Sequence, residues 1–206
     1  YFPKVLSMRE RAEVIDNWLN ERVQTVLPDI MRRAEIDMWI IIAREYNEDP
    51  IIETLLPATW LAARRRTILV VYDPGGDQPL ETLAVARYAV GQQFLPAWDK
   101  EAQPDQWARL AEIVAERDPQ RIGINQSADW GLADGIAATD LELLREIVSE
   151  MLMRRRQRSD PAHSETGSTS STDDGEPGPP VQQPFSRRAH SHQAGPEVAS
   201  DASPAR

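Results

Sequence analysis

Ile36-Asp37-Met38-Trp39-Ile40-Ile41-Ile42-Ala43, followed by Arg44-Glu45-Tyr46-Asn47-Glu48-Asp49-Pro50, is the stretch that decides the fold. An apolar, β-branched run of this length, closed by charged residues and a proline, reads as a strand buried on both faces. A strand with two buried faces needs covering layers on both sides, so the expectation is an α/β domain. The abrupt change to polar residues after Ala43 is the kind of strand end where such folds place ligands or domain contacts.

Upstream, Ser7-Met8-Arg9-Glu10 has the spacing of a capping box, in which two side chains satisfy orphan amides at a helix start. Ile15, Trp18, Leu19, Arg22 or Val23, Val26, Ile30 and Met31 then recur at three- and four-residue steps, the stripe of an amphipathic helix. Pro28 falls inside the stripe and predicts a kink or two abutting helices. Downstream, short irregular or helical segments interrupted by Pro57 lead to a second strand, Thr67–Tyr72, closed by a turn at Asp73-Pro74-Gly75-Gly76-Asp77. Leu83–Val90 reads as a third strand. Asp105-Gln106-Trp107 opens a helix with Leu110, Ile113 and Val114 inward, ended by Asp118-Pro119. Arg121–Asn125 is a short fourth strand. Thr139-Asp140-Leu141-Glu142 offers a second capping box before a helix carrying Leu143, Leu144, Ile147, Val148, Met151 and Leu152 on one face.

Composition divides the 206-residue chain at Met153. The part up to that residue holds 16 basic and 26 acidic residues, all six Trp and all four Tyr, whereas residues 154–206 balance seven charges of each sign and contain no Leu, Ile, Met, Trp or Tyr. The expectation is a folded domain at 1–153 and a disordered low-complexity tail at 154–206, which has too little apolar surface to offset chain entropy. The acidic balance argues against nucleic acid and anionic lipid as partners, and no apolar run approaches the roughly 18 residues that span a bilayer. With no cysteine, disulfides, thiolate chemistry and Cys-ligated zinc are excluded and the compartment stays open, the cytoplasm being favoured. A first residue that is Tyr1 rather than Met leaves room for a cleaved leader.

Each chemically suggestive cluster has a plainer reading. His163, His190 and His192, the chain's three histidines, all lie in the tail, so no Ser-His triad can form in the folded part and His190-Ser191-His192 lacks the frame of a metal site. Arg64-Arg65-Arg66 could hold an anion, but reads first as a solvated run paired with nearby acids. Glu45, Glu48 and Asp49 could act as acid/base groups or cation ligands, yet they lack the register of a calcium loop. Gly75-Gly76 has no lysine or helix behind it and reads as a hairpin turn, not a phosphate loop. Core packing is the default for the tryptophans, with Trp98 and Trp130, in loop contexts, the two that fit an interface. No catalytic, cofactor-binding or metal-ligating residue is therefore assigned.

Three blocks in order, Asp37–Pro50, Arg64–Val70 and Ile122-Gly123-Ile124-Asn125-Gln126-Ser127-Ala128-Asp129-Trp130-Gly131-Leu132-Ala133-Asp134-Gly135, resemble the N-terminal domain of the M24 metallopeptidases, the family of Xaa-Pro aminopeptidases, Xaa-Pro dipeptidases and creatinase. The resemblance covers about Tyr1 to Val148 and implies a mixed sheet flanked by helices. It further implies that catalysis belongs to a second, pita-bread domain, where two Asp, one His and two Glu hold two divalent metals such as Mn or Zn. That domain does not follow Val148 here, so the chain is expected to be inactive alone, with an M24 catalytic domain or full-length homologue as partner and self-association through an uncovered apolar face. The tail has the makeup of an out-of-frame reading of a GC-rich gene. Two other functions are weighed: a stand-alone module that modulates a full-length M24 peptidase, and a small hydrolase recruiting a metal at the Arg44–Asp49 loop. Ala34-Glu35 departs from the family where a glycine is expected at the helix end.

Overall fold

The computed structural model describes residues 5–159. The three histidines, and the expected tail beyond residue 159, lie outside the described residues. Helices α1 (Met8–Glu21) and α2 (Leu27–Arg33) precede strand β1 (Met38–Arg44), then β2 (Arg66–Tyr72), β3 (Glu81–Val85) and β4 (Leu95–Pro96). Helix α3 (Gln106–Arg117), strand β5 (Ile122–Gly123) and helix α4 (Ala138–Ser159) complete the order. The sheet runs β4-β3-β2-β1-β5. It is mixed: β1 and β3 pair antiparallel with β2, while β1–β5 and β3–β4 are parallel.

Alternation along the central strands separates two cores, because successive side chains point to opposite faces of a sheet. Ile41, Ala43, Leu69, Val71 and Ala84 pack with Leu19, Val23, Leu27 and Met31 of the N-terminal helices, together with Phe94. Met38, Ile40, Ile42, Ile68, Val70 and Val85 pack on the other face with Leu110, Ile113 and Val114 of α3 and Leu144 and Met151 of α4. The result is a three-layer α/β domain with β1 buried on both faces, as its sequence demands. Among the described residues no helix is long and apolar enough to cross a membrane.

The predicted capping box at Ser7 forms, with the Glu10 amide donating to the Ser7 hydroxyl at 3.3 Å and the Ser7 amide to the Glu10 carboxylate at 2.7 Å. Pro28 does not break the helix. Lacking an N–H, it would waste a normal i−4 bond. The path instead widens into a π-helical turn at Arg22–Val26, where the Leu27 amide reaches the Arg22 carbonyl five residues back. This resets the apolar stripe. At 3.6 residues per turn a strict four-residue step drifts around a helix, but the wide turn keeps Leu19, Val23, Leu27 and Met31 on the buried face. Ile15, Trp18, Val26 and Ile30, expected inward, stay exposed.

Three further boundaries differ from the sequence reading. The third strand stops at Val85 rather than Val90, and Val90 turns to bridge Phe94 around Gly91, whose φ is +63°. The fourth expected strand shortens to Ile122–Gly123. The second capping box is absent: α4 begins at Ala138, two residues before the start that Thr139 as cap implies, the Leu141 amide bonding to the Ala137 carbonyl at 2.9 Å, and Asp140 is turned inward. Helix α4 also continues past Met153, and Arg155 donates to the Asp118 carboxylate at 2.6 Å and to the Asp118 and Pro119 carbonyls at 2.8 and 2.7 Å.

Where the sequence suggested a missing glycine, α2 closes in a Schellman arrangement. The Ile36 amide reaches the Met31 carbonyl at 2.9 Å and the Glu35 amide the Arg32 carbonyl at 3.1 Å. Glu35 occupies the left-handed position at φ +55°, a conformation that costs an L-residue roughly 1 kcal/mol. Its pair with Arg121 is exposed on both sides and offsets little of this. Glu35→Gly should therefore raise stability by about 0.5 kcal/mol and Glu35→Val lower it by about 1 kcal/mol, read as urea midpoints at constant slope.

Arg32 ties α2 to the end of β2 through Asp73, at 2.9 Å. The Arg32 hydrogen bond holds the Asp73 carboxyl below the usual carboxylate range. A depressed folded value means that the unfolded chain binds the proton first as the solution is acidified. The pair's contribution is thus full above the ordinary aspartate range, about pH 4, and disappears as pH falls through the folded value. Asp73→Asn should flatten the acid limb of a stability-versus-pH curve while lowering its neutral plateau. An unchanged limb would mean that Asp73 does not contribute.

Candidate functional site

All the informative polar chemistry gathers at one end of the sheet. The antiparallel register places the C-terminal end of β1 beside the start of β2, Arg44 facing Arg66, and the end of β3 beside them, Val85 facing Ile68. Because β5 runs parallel to β1, the loop after β5 arrives at the same end.

The loop after β1 folds back at once, with reciprocal Arg44–Asn47 backbone bonds of 2.9 and 3.2 Å and Tyr46 at φ +70°. Its three carboxylates then diverge. Glu45 accepts from the Arg65 amide at 3.1 Å, and Glu48 from the Tyr46 amide at 3.1 Å. Asp49 alone is fully buried, at 1% exposure. It accepts from the Ile51 amide at 3.0 Å and from the Asn125 side-chain amide at 2.6 Å. Asn125 in turn accepts from the Trp39 indole at 2.9 Å, and its carbonyl receives the Gly135 and Ile136 amides, both at 3.1 Å. Burial pushes the Asp49 carboxyl up from the usual range, and the hydrogen bonds from Asn125 and Ile51 oppose that shift. A side-chain chain with every member satisfied is a rigid buckle, here joining β1, the loop after it and the loop after β5.

A second buried carboxylate lies close by. Asp140, in the first turn of α4, accepts from Arg44 at 2.7 Å, and Arg44 also donates to the Thr139 hydroxyl. Arg66 approaches the other Asp140 oxygen only to 3.7 Å, leaving Arg66 Nε and Asp140 Oδ1 buried without hydrogen bonds. The Arg66 guanidinium lies over the Trp107 ring at 5.1 Å, within cation–π range. The arginine run is thus not a solvated face as a whole. Arg64 covers Trp60 at 4.6 Å, Arg65 adopts φ +57° beside Glu45, and Arg66 turns into the fold.

Four large apolar side chains stand exposed at this end, among charged and polar neighbours such as Asn47, Arg65 and Asp129. Tyr46 (92% exposed), Leu61 (93%), Trp130 (74%) and Leu132 (73%) all protrude from these loops. Trp98, the other tryptophan singled out for an interface, is instead packed against the second core, with its indole N–H on the Gln103 carbonyl at 2.6 Å. The Asp49–Asn125 bond and the inward turn of Asp140 escaped sequence reading, because Asp49 sits in the polar run Glu45-Tyr46-Asn47-Glu48 and its neighbours carry no signal of burial.

Among the described residues no group of three His, Cys, Asp or Glu side chains could hold a metal. No protein-family model matches this chain, and no curated protein or solved structure matches it either.

The buckle makes a sharp demand at Gly135. A Cβ placed there would lie 2.3 Å from the Asp49 carboxyl, against a side chain fixed by two hydrogen bonds. Gly135→Ala should cost about 3 kcal/mol, at the upper end for overpacking, measured by chemical denaturation. Gly131→Ala, whose added methyl meets nothing within 4 Å, should cost well under 1 kcal/mol.

Proposed function

We propose that this chain carries the non-catalytic domain of an M24-type metallopeptidase, of the creatinase/aminopeptidase P N-terminal kind. In that role it shapes substrate access and subunit contacts for Xaa-Pro peptide hydrolysis. The observation that supports the reading is the apolar shell at the loop end of the sheet. Single exposed apolar side chains are ordinary, but Tyr46, Leu61, Trp130 and Leu132 expose several hundred Å2 between them on loops from one end. Those loops are held by satisfied buried polar groups, so their shape is fixed before any partner arrives. A preformed surface loses little ordering entropy on docking.

The reaction, on this reading, is supplied elsewhere. A metal-activated water does the chemistry from the second domain of the family, and the loops described above contribute walls and contacts. The three carboxylates of the Arg44–Asp49 loop are committed to Arg65, Tyr46, Asn125 and Ile51, which leaves the metal-recruiting hydrolase without a supporting observation. A free-standing module that binds an intact M24 enzyme would use the same apolar shell.

The test mixes the full chain with a separately produced M24-type catalytic domain and, in parallel, with a full-length M24 enzyme. The chain alone, with added Mn2+, should not cleave Xaa-Pro peptides. It should form a complex with the catalytic domain by size exclusion with light scattering. Trp130→Ser combined with Leu132→Ser should weaken that complex at least ten-fold, whereas Met153→Ser should not. Binding only to the full-length enzyme would favour the free-standing module. Hydrolysis by the chain alone, or binding indifferent to the loop variants, would overturn the proposal.

A further inference from the structure

The same end of the sheet carries a feature of the opposite character to its apolar shell. Between the start of β2, the residue after Ala86 and the N-terminus of α3 lies a cavity of about 400 Å3, within the size range of small-ligand sites. Arg65, Arg66 and Arg87 line it together with Asp105, Trp98 and Trp107. In a chain of net charge −10, three guanidiniums on one small cavity are a local inversion of sign. The one lining carboxylate is engaged: Asp105 caps α3 by accepting from the Trp107 amide at 2.9 Å.

The cations, by contrast, are under-neutralised. Arg65 meets Glu45 only at 3.9 Å, with its own side chain largely exposed. Arg66 shares Asp140 with Arg44, which takes the short contact at 2.7 Å and leaves Arg66 at 3.7 Å with its Nε unpaired. Arg87 is exposed and has no hydrogen bond or ion pair among the described residues. Holding like charges around one cavity is unfavourable until an anion enters it. Guanidinium groups are suited to that anion because they donate paired N–H groups to a phosphate or carboxylate.

We infer that the Arg65–Arg66–Arg87 cavity is a binding site for the oxyanion group of a small ligand, a phosphate or a carboxylate. The two tryptophans on its wall give the ligand's body an aromatic surface. The site is independent of the peptidase reading, since it needs neither a second domain nor a metal.

Titration of the full chain with inorganic phosphate, pyrophosphate and citrate at constant ionic strength, followed by tryptophan fluorescence and calorimetry, tests this. At least one of the three should bind saturably at one site per chain, and phosphate against citrate tells which oxyanion is preferred. Arg87→Gln removes a side chain with no structural partner and should weaken binding ten-fold or more without moving the thermal midpoint of the free chain. Arg65→Gln should act in the same direction. Responses that never saturate, that chloride reproduces, or that Arg87→Gln leaves unchanged would overturn the site.

Discussion

One buried carboxylate sets the geometry of the loop end. Arg44 and Arg66 are direct partners across the β1–β2 ladder, and two cations side by side at a strand end would repel each other. Asp140 lies within 2.7 Å of one and 3.7 Å of the other, so the pairing persists only if the first turn of α4 stays on the sheet. The Arg44 guanidinium is held more firmly protonated by the Asp140 hydrogen bond. This interaction ties the last helix to the two central strands. Removing Asp140 would free two partly buried cations at once, which is a larger perturbation than losing one ion pair. The loops that carry the apolar shell start from these same strand ends.

Much of this fold was legible because its strongest signals are local. The β1 run, the Ser7 capping box and the inner face of α3 each depend on residues within a few positions of one another, and each forms as read. The misreadings came from competition over distance. Thr139-Asp140-Leu141-Glu142 has the spacing of a helix start, but Arg44, nearly a hundred residues earlier, takes both Thr139 and Asp140. Leu27 falls outside the stripe read from the sequence, and the π-helical turn that brings it inward depends on which carbonyl the Leu27 amide finds. The end of the third strand was equally hidden, since Ala86 to Val90 is apolar enough to continue as strand and only the turn at Gly91 diverts it.

The candidate site was less legible still, for a physical reason. Asp49 looked like one of three loop carboxylates, and nothing in its neighbours distinguishes it from Glu45 or Glu48. Its burial is decided by Asn125, contributed by the loop after β5, and by the missing side chain at Gly135. The arginine run reads as one unit in sequence, but only Arg66 belongs to β2, and Arg65, in the left-handed conformation at φ +57°, separates it from Arg64. Arg66 therefore lies against Trp107 while Arg64 lies on Trp60, so three identical residues acquire three environments.

Charge and apolarity are thus arranged in two shells. Around Asp49 the inner shell at this end of the sheet is polar, buried and fully hydrogen-bonded, while Tyr46, Leu61, Trp130 and Leu132 stand exposed above it among charged side chains. At those four positions the usual order, in which polar groups face water and apolar ones retreat, is inverted. Buried polar networks hold loops in a single arrangement because any alternative leaves a donor or acceptor unmet. Exposed Tyr46, Leu61, Trp130 and Leu132 add nothing to the stability of this domain from where they stand. Rigid loops combined with unburied apolar tips are what a docking surface requires. Among the described residues, Arg66 Nε and Asp140 Oδ1 are the buried side-chain atoms left without hydrogen bonds, and Arg66 lines the same cavity as Arg65 and Arg87.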